Sequence, residues 1–371
     1  MKCFLEMRKL AIYTMLVLAM LLGVASRAVA QKFIVGADFA TLFDNTEYAA
    51  MLYSPRSETL FSSRLTPKLG FGWNERHSVI LGVDLVQDFG HDSRFVSDVN
   101  VQMYYNFDAP RVKVFAGIFP REAMRGLRSS IFFDRGYRYY NNRIQGVVAR
   151  YEDGVDSYVE FAMDYTGMRS EETREAFAIM SSARKSIYGR NGAGDMHLGY
   201  DFLMGHYAKD YNPATEDGVV DNIMLTPLIG YSHAFATGES RPSVNLCAEA
   251  KYILSLQRDR AKENVWCAPQ GAEIMVEAEW YGAVVRNRLY VGGNLLSYFG
   301  RYGADLYHGS PFYGTEKGVF NAVELGYKRL FCEGILAVEA GVSIDYDGTG
   351  WGTRQFISLG VNFNHGFDIK K

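Results

Sequence analysis

Apolar and polar residues alternate with a period of two along most of this chain. In residues 96–107, Val99, Val101 and Met103 alternate with Asn100 and Gln102. Because successive side chains of a strand point to opposite faces, such runs predict strands with one apolar face. The same alternation recurs at residues 79–88, 155–165, 246–257, 273–280, 336–345 and 357–364.

The predicted strands are long, and their connections alternate between short and long. Many runs reach ten residues, whereas strands of soluble proteins usually have five or six. This pattern predicts an all-β fold: a closed antiparallel transmembrane β-barrel of about 16 strands (14–18), with short periplasmic turns and long extracellular loops. Residues 174–194 and 219–236 fit the alternating strand pattern least well, and Pro227 lies within the second of these stretches. The predicted short turns are residues 74–75, 108–110, 152–154, 286–287 and 332–334, and the long connections are residues 45–57, 120–142, 209–221, 258–270 and 300–317.

The first thirty residues have the pattern of a secretory signal peptide. Lys2, Arg8 and Lys9 precede an apolar run at residues 10–24, and Ala28-Val29-Ala30 supplies small residues for cleavage. We therefore expect residues 1–30 to be removed and residues 31–371 to form a single barrel domain in the outer membrane of a Gram-negative bacterium.

Composition narrows the class of protein further. The net charge is −3 and the mean hydropathy is −0.12, although aromatic residues reach 14%. Neither value indicates a nucleic-acid partner, and spanning strands need no long apolar run. Cys247, Cys267 and Cys332 form neither a disulfide framework nor a metal site by their spacing. We expect no cofactor and no metal, with outer-membrane lipid and small solutes as partners and a homo-oligomer as a possibility.

One long connection, residues 119–144, carries an unusual number of arginines and aromatic residues. Loops of this length in a compact fold are usually functional or disordered, and the aromatic content argues against disorder. We expect this loop to fold into the barrel and to narrow the pore, the alternative being a solvated surface loop. The predicted constriction residues are Arg121, Arg125, Arg128, Arg135, Arg138, Arg143, Tyr137, Tyr139 and Tyr140.

Taken together, the signal peptide, the amphipathic strands and the long third loop resemble those of a Gram-negative outer-membrane porin. That resemblance implies passive diffusion of small hydrophilic solutes, with the third long loop as the constriction. The chain departs from it at the C-terminus, where Asp368-Ile369-Lys370-Lys371 follows the last aromatic residue, Phe367. Arg121 and Arg143, at the ends of the loop, are expected to anchor it, while the arginines between them face the solute.

If the apolar faces meet lipid, the opposite faces give the lumen an acidic wall. Such charges tune selectivity, although they could equally hold the loop in place through salt bridges. The predicted wall residues are Asp84, Asp98, Asp156, Glu160, Asp164, Asp201, Glu249, Glu277, Glu279, Glu324 and Glu339.

Two other functions remain open at this point. A plugged barrel could serve as a surface, anchoring or secretion-associated structural protein. An enzyme is the least favoured, because His77 and Ser78 would point to opposite faces of a strand and Glu277 and Glu279 fit a simple acidic lumen.

Overall fold

The computed structural model describes residues 32–50, 57–90, 95–154, 156–171, 173–188, 194–208, 218–235 and 244–369. They form one closed barrel of sixteen strands, in which each strand pairs antiparallel with its neighbours in the chain and β1 pairs with β16. This confirms the predicted fold class and strand number. The predicted signal peptide, residues 1–30, lies outside the described residues.

Most strands have ten or more residues, as the alternation predicted. Their bounds are β1 Lys32–Glu47, β2 Ser57–Trp73, β3 His77–Asp88, β4 Asp98–Asp108, β5 Val112–Pro120, β6 Arg143–Glu152, β7 Tyr158–Gly167, β8 Ala176–Tyr188, β9 Asp195–Tyr207, β10 Val220–Phe235, β11 Val244–Asp259, β12 Gln270–Trp280, β13 Ala283–Gly292, β14 Val319–Phe331, β15 Leu336–Tyr346 and β16 Trp351–Asp368.

The two stretches that fitted the pattern least well are strands β8 and β10. Pro227 lies inside β10, and the pairing of β10 with β11 has the same register on both sides of it. A proline removes one donor from the ladder without ending the strand when the neighbouring pairs hold it.

The predicted turn at residues 286–287 is wrong. The chain reverses at Tyr281 and Gly282, whose φ angles are 53° and 89°. Two-residue hairpin turns of type I′ need positive φ at both central positions, which glycine adopts without strain. Arg286 and Arg288 therefore lie inside β13, on its lumen side.

The two ends of the barrel differ as expected for an outer-membrane barrel. The short turns lie at the same end as Lys32 and Asp368, which we take as the periplasmic end, and the long connections lie at the extracellular end. Among the described residues, no helix has the length and apolar character to cross a membrane.

The outer face of the wall is apolar and exposed, which suits contact with lipid. Leu69, Val101, Ile274 and Leu325 are each more than half exposed, although they belong to regular strands. A soluble protein would bury such a continuous surface. The fold is thus that of an outer-membrane barrel.

Inside the barrel, the structure has a hydrophobic core of its own. It joins wall residues such as Met180 and Ile253 to two connections that fold inward, residues 121–142 and residues 293–318. We call these the first and the second inward segment.

Candidate functional site

The first inward segment leaves the end of β5 and runs down the inner wall. Backbone N–H groups of Arg125 and Gly126 donate to the Glu160 carboxylate on β7 at 2.9–3.0 Å. The N–H of Leu127 then donates to Asp201 on β9 at 3.1 Å. Buried acids of the wall therefore supply the acceptors that a coil segment inside a barrel needs.

The second half of this segment reaches the other side of the lumen. It contains helix α1 (Arg135–Tyr140), capped by Asp134, whose side chain accepts from Tyr137 N at 2.6 Å. Arg135 pairs with Glu339 on β15 at 3.1 Å, and Tyr140 donates to Asp88 on β3 at 2.9 Å. The segment thus contacts wall strands around much of the barrel.

Apolar side chains of the first inward segment form the centre of the lumen core. Met124, Leu127, Ile131, Phe132 and Phe133 are each at most 5% exposed. Burying a side chain of this size stabilises by about 1.5–3 kcal/mol, which offsets part of the entropy lost on ordering the segment.

The second inward segment packs against the first. It contains helix α2 (Phe299–Tyr302), and its backbone joins the first segment through Ser310 N to Ser130 O at 2.7 Å and Asp134 N to His308 O at 2.9 Å. The ring of His308 stacks on Tyr137 with centroids 4.2 Å apart. The two segments therefore form one body within the lumen.

Close packing at this contact depends on a glycine. A Cβ placed on Gly309 would lie 2.0 Å from the carbonyl oxygen of Ile131, a distance that real atoms do not adopt. The backbones of the two segments can approach this closely only because residue 309 has no side chain.

Arg121 lies at the start of the first inward segment and is buried. Its guanidinium donates to the carbonyls of Asn141 and Arg143 at 2.9 Å each and pairs with Asp164 at 2.7 Å. Arg143 is the first residue of β6 and contributes that carbonyl. Arg121 therefore ties the two ends of the segment to β7.

The remaining arginines predicted for the constriction have different surroundings. Arg125 lies over the Tyr158 ring at 4.6 Å, and Arg138 donates to the carbonyl of Leu127 at 2.9 Å. Arg128 donates to the carbonyl of Met124 at 2.7 Å but remains exposed inside the barrel, as does Glu122. Glu122 and Arg128 thus present opposite charges to the space within the lumen.

The three predicted tyrosines pack the first inward segment onto its surroundings. Tyr137 stacks on Phe133 and His308, and the rings of Tyr139 and Tyr140 meet edge to face at 5.3 Å. All three are partly buried, so most of each ring is used in packing.

Most of the predicted acidic wall residues do face the lumen. Asp84, Glu160, Asp164 and Asp201 are at most 7% exposed and bind arginines, hydroxyls or backbone N–H groups. Four further acids of the wall form ion pairs in the lumen. Glu249 pairs with Lys251, Glu277 and Glu324 pair with Arg286, and Glu339 pairs with Arg135. The inward residue Glu279 is half-buried, and Asp98 is exposed at the extracellular end of β4.

Asp156 is not a wall residue. It is exposed in the turn before β7, which begins at Tyr158 and not at residue 155 as the alternation suggested. The turn after β6 takes more residues than Glu152-Asp153-Gly154.

Sequence reasoning missed several buried charges, and it predicted residues 300–317 as a long connection without predicting that this connection folds inward. Glu273 is 2% exposed, accepts a hydrogen bond from Tyr313 and lies near Arg288. On the other side of the lumen, Asp44 on β1 pairs with Arg354 on β16. Arg288 was not predicted because the turn was placed at residues 286–287. The inward position of residues 293–318 was not predicted because they show no charge pattern like that of residues 119–144.

Burial shifts the acid–base behaviour of groups in the two inward segments. Desolvation, followed by the positive charge of Arg121, lowers the pKa of His308 to about 4. Desolvation also raises the pKa of Tyr137 to about 12 and lowers that of Arg138 to about 10. Near neutral pH His308 is therefore uncharged where it stacks on Tyr137.

No metal centre stands out in the part of the chain that the structure describes. There, no three His, Cys, Asp or Glu residues gather as ligands would, and Cys247, Cys267 and Cys332 are free thiols.

Comparison with known proteins gives a family and several weak structural likenesses. Residues 26–371 match the model of the family described as "Lipid A 3'-O-deacylase-type". No curated protein matches the sequence. Three similar solved structures are OprB of Pseudomonas putida (11% identity, TM-score 0.48, covering 89% of this chain and 94% of that one), OpdL of Pseudomonas aeruginosa (10%, 0.47, 91% and 99%) and OprD of Pseudomonas aeruginosa (10%, 0.42, 90% and 94%). These likenesses are too weak to carry a function.

Proposed function

This chain belongs to the Lipid A 3'-O-deacylase-type family, and from that premise we propose that its own geometry favours a narrow passage for small hydrophilic solutes over an enzyme. The first inward segment is the proposed constriction. The observation that carries the proposal is the exposure of Glu122 and Arg128 inside the barrel, on a segment that is otherwise buried and fixed to the wall.

Solvent contact on the lumen wall supports this proposal. Arg286, Glu277 and Glu339 belong to the inward face, yet they are 25–36% exposed and lie toward the periplasmic ends of their strands. Water therefore reaches the lumen below the inward segments. At the extracellular end, a pocket of about 510 Å³ is lined by Asn294, Ser297, Glu316, Lys317 and other residues.

Within the proposed constriction, Arg128 is the arginine best placed to meet a solute. Its charge is permanent, and its planar group can bind a carboxylate or phosphate through two hydrogen bonds. Glu122 lies within electrostatic reach of Arg128 and Arg121. A solute would thus cross a transverse field, which low-dielectric walls focus.

Conductance in planar bilayers tests the proposal. Replacing Arg125, Arg128, Arg135 and Arg138 together with Ser should shift the reversal potential toward cations, and Arg128→Ser alone should give most of that shift. Unchanged ion selectivity in both folded variants would show that the first inward segment lies outside the permeation path. No permeability of the wild type to the smallest sugar, in liposome swelling, would favour a plugged, structural barrel.

The family match favours a second candidate, hydrolysis of an acyl ester of lipid A. Such a reaction needs an activated nucleophile and a base within hydrogen-bond reach of each other, at the level of the outer leaflet. At that level the outward histidine His206 pairs in register with Asp221, which two arginines already bind. Incubation of the reconstituted protein with lipid A, followed by mass spectrometry, would decide between the two functions. Loss of the 3′-O-linked acyl chain would establish the hydrolytic activity, and intact lipid A would favour the channel.

A further inference from the structure

On the outer surface of the barrel, two arginines share one carboxylate at the extracellular ends of β10 and β11. Arg258 donates to Asp221 at 2.8 and 3.0 Å, and Arg260 donates to the same carboxylate at 2.8 Å through two nitrogens. The indole of Trp266 lies 4.4 Å from the Arg258 guanidinium. We call Asp221, Arg258, Arg260 and Trp266 the outer basic cluster.

These side chains point outward, away from the lumen. Asp221 and Arg258 face each other in the pairing of β10 with β11. Their neighbours in the chain, Asn222, Gln257 and Asp259, are at most 4% exposed and point inward. Because strand side chains alternate, the cluster lies on the surface that meets lipid.

The height of the cluster matches the headgroup region of the outer leaflet. Asp221 is the second residue of β10 and Arg258 is the last but one of β11, both at the extracellular end. Immediately below them, the outward positions are apolar, as Ile223 and Leu256 show. The cluster therefore lies where an apolar band gives way to polar headgroups.

A row of stacked rings leads along the same rim to the cluster. Tyr165 stacks on Phe177 and Phe177 on His206, with centroids 6.4 and 4.8 Å apart. His206 pairs in register with Asp221. Aromatic rings at this height mark the interface between acyl chains and headgroups.

The charge balance of the cluster favours an anion. Two guanidinium groups face one carboxylate, which leaves one positive charge, and Arg260 is 47% exposed. The contacts with Asp221 use Nε and Nη2 of each arginine, and Nη1 is not part of them. A planar guanidinium that keeps an outward edge matches the oxygens of a phosphate.

A described stretch of the rim on the opposite side of the barrel is neutral. At the same height on β16, β1 and β2, Gln355, Asn45 and Thr59 form a neutral ladder of hydrogen bonds at 2.6 and 2.7 Å. Among the described residues, this stretch of the rim is therefore neutral where the stretch at β10 and β11 is basic.

We propose that the outer basic cluster binds a phosphate group of a phosphorylated glycolipid of the outer leaflet. The apolar outward residues below it would contact the acyl chains, and Trp266 would lie beside the sugar–phosphate region. This binding site is separate from the proposed channel and requires no hydrolysis, so it stands whether or not either function holds.

The test uses the full mature chain in neutral detergent, titrated with lipid A carrying its phosphates and with lipid A from which they have been removed. Binding is followed by native mass spectrometry. The double variant Arg258→Gln/Arg260→Gln should lose about tenfold or more in affinity for phosphorylated lipid A, since hydrogen bonds to charged groups are the stronger class. Removing the phosphates should weaken wild-type binding to a similar degree.

Arg329 provides a matched control at the other rim. It also lies over an aromatic ring, Tyr281, at 4.1 Å, but on the periplasmic end of β14. Arg329→Gln should bind phosphorylated lipid A as the wild type does. Because the double variant could lose stability, Arg258→Lys/Arg260→Lys keeps the charges and should show an intermediate affinity.

Three outcomes would overturn the proposal. They are equal affinity of the folded double variant and the wild type, equal binding of dephosphorylated lipid A, and equally tight binding of phosphatidylglycerol, which would indicate a general anion site. Loss of conductance with intact lipid A binding, or the reverse, would separate this site from the proposed channel.

Discussion

The two inward segments fill the same lumen but are held there by different groups. The first donates its own backbone N–H groups to wall carboxylates and adds an ion pair between Arg121 and Asp164. The second offers side-chain donors: Tyr302 and Arg301 both bind Asp259 at 2.7 Å, and Tyr313 binds Glu273. In both cases a buried acid of the wall is the anchor, so lumen acids can be structural as well as electrostatic.

The largest effect should follow from breaking the anchor of the first segment. In Arg121→Gln the Asp164 carboxylate stays buried without its cation, which costs about 3–5 kcal/mol for pairs of this kind. Thermal unfolding in detergent should show the loss, and residues 121–142 should become open to protease. Arg128→Gln is the matched control, because Arg128 is exposed and bonds only to carbonyls of its own segment. Equal stability of the two variants would show that Arg121 is not an anchor.

The contact between the two segments can be opened by a single methyl group. In Gly309→Ala the added Cβ meets the Ile131 backbone, and overpacking of this kind costs about 1–3 kcal/mol. We expect lower thermal stability and a raised single-channel conductance as the segments separate. Gly300→Ala, in the same segment, meets no atom within 4 Å and should behave as the wild type. If both variants behave alike, the segments do not act as one body.

Acid should loosen the same contact. The pKa of His308 is about 4 in the folded protein, below its ordinary value of about 6.5, so the undocked segment binds the proton more readily. The docked state is therefore fully favoured above about pH 6.5 and loses stability as the pH falls toward 4. Proteolysis of residues 293–318 should increase over that range. His308→Phe keeps the stacking and should abolish this pH dependence; an unchanged profile would assign it to another group.

The smallest effect is expected where the helix of the first segment meets β15. The Arg135–Glu339 pair is partly exposed to solvent in the lumen, and pairs of this kind contribute at most about 1 kcal/mol. Arg135→Gln should therefore change the unfolding temperature only slightly, although Arg135 also covers the Phe356 ring at 3.7 Å. A loss as large as that of Arg121→Gln would show that the contact with β15 anchors the segment as strongly as the contact with β7.

The sequence predicted the wall of this barrel better than its contents. Period-two alternation is a local property, so strands and sidedness follow from short stretches such as residues 96–107. The turn at Tyr281-Gly282 was missed because tyrosine seldom signals a turn. As a result, the inward position of Arg288 was not predicted. The first inward segment was visible through its arginines.

The second inward segment had no such signal. Its residues are held by aromatic packing and by partners far along the chain, such as Tyr313 with Glu273 on β12. Which tyrosine meets which acid depends on the closed barrel, and that information is not local. Alternation found the acids that anchor the first segment, such as Glu160 and Asp201, but not Glu273 and Asp259, which anchor the second. The role of all four as anchors required the structure.

Closure of the barrel has a consequence for how the chain is made. β1 pairs with β2 on one edge and with β16 on the other, so that Lys32 lies opposite Asp368. Until β16 has been synthesised, one edge of β1 therefore has unpaired backbone N–H and C=O groups, and such an edge can pair with another chain. Contacts between such distant parts also form slowly. We expect the nascent protein to need a chaperone that shields this edge until the final strand has been delivered to the membrane.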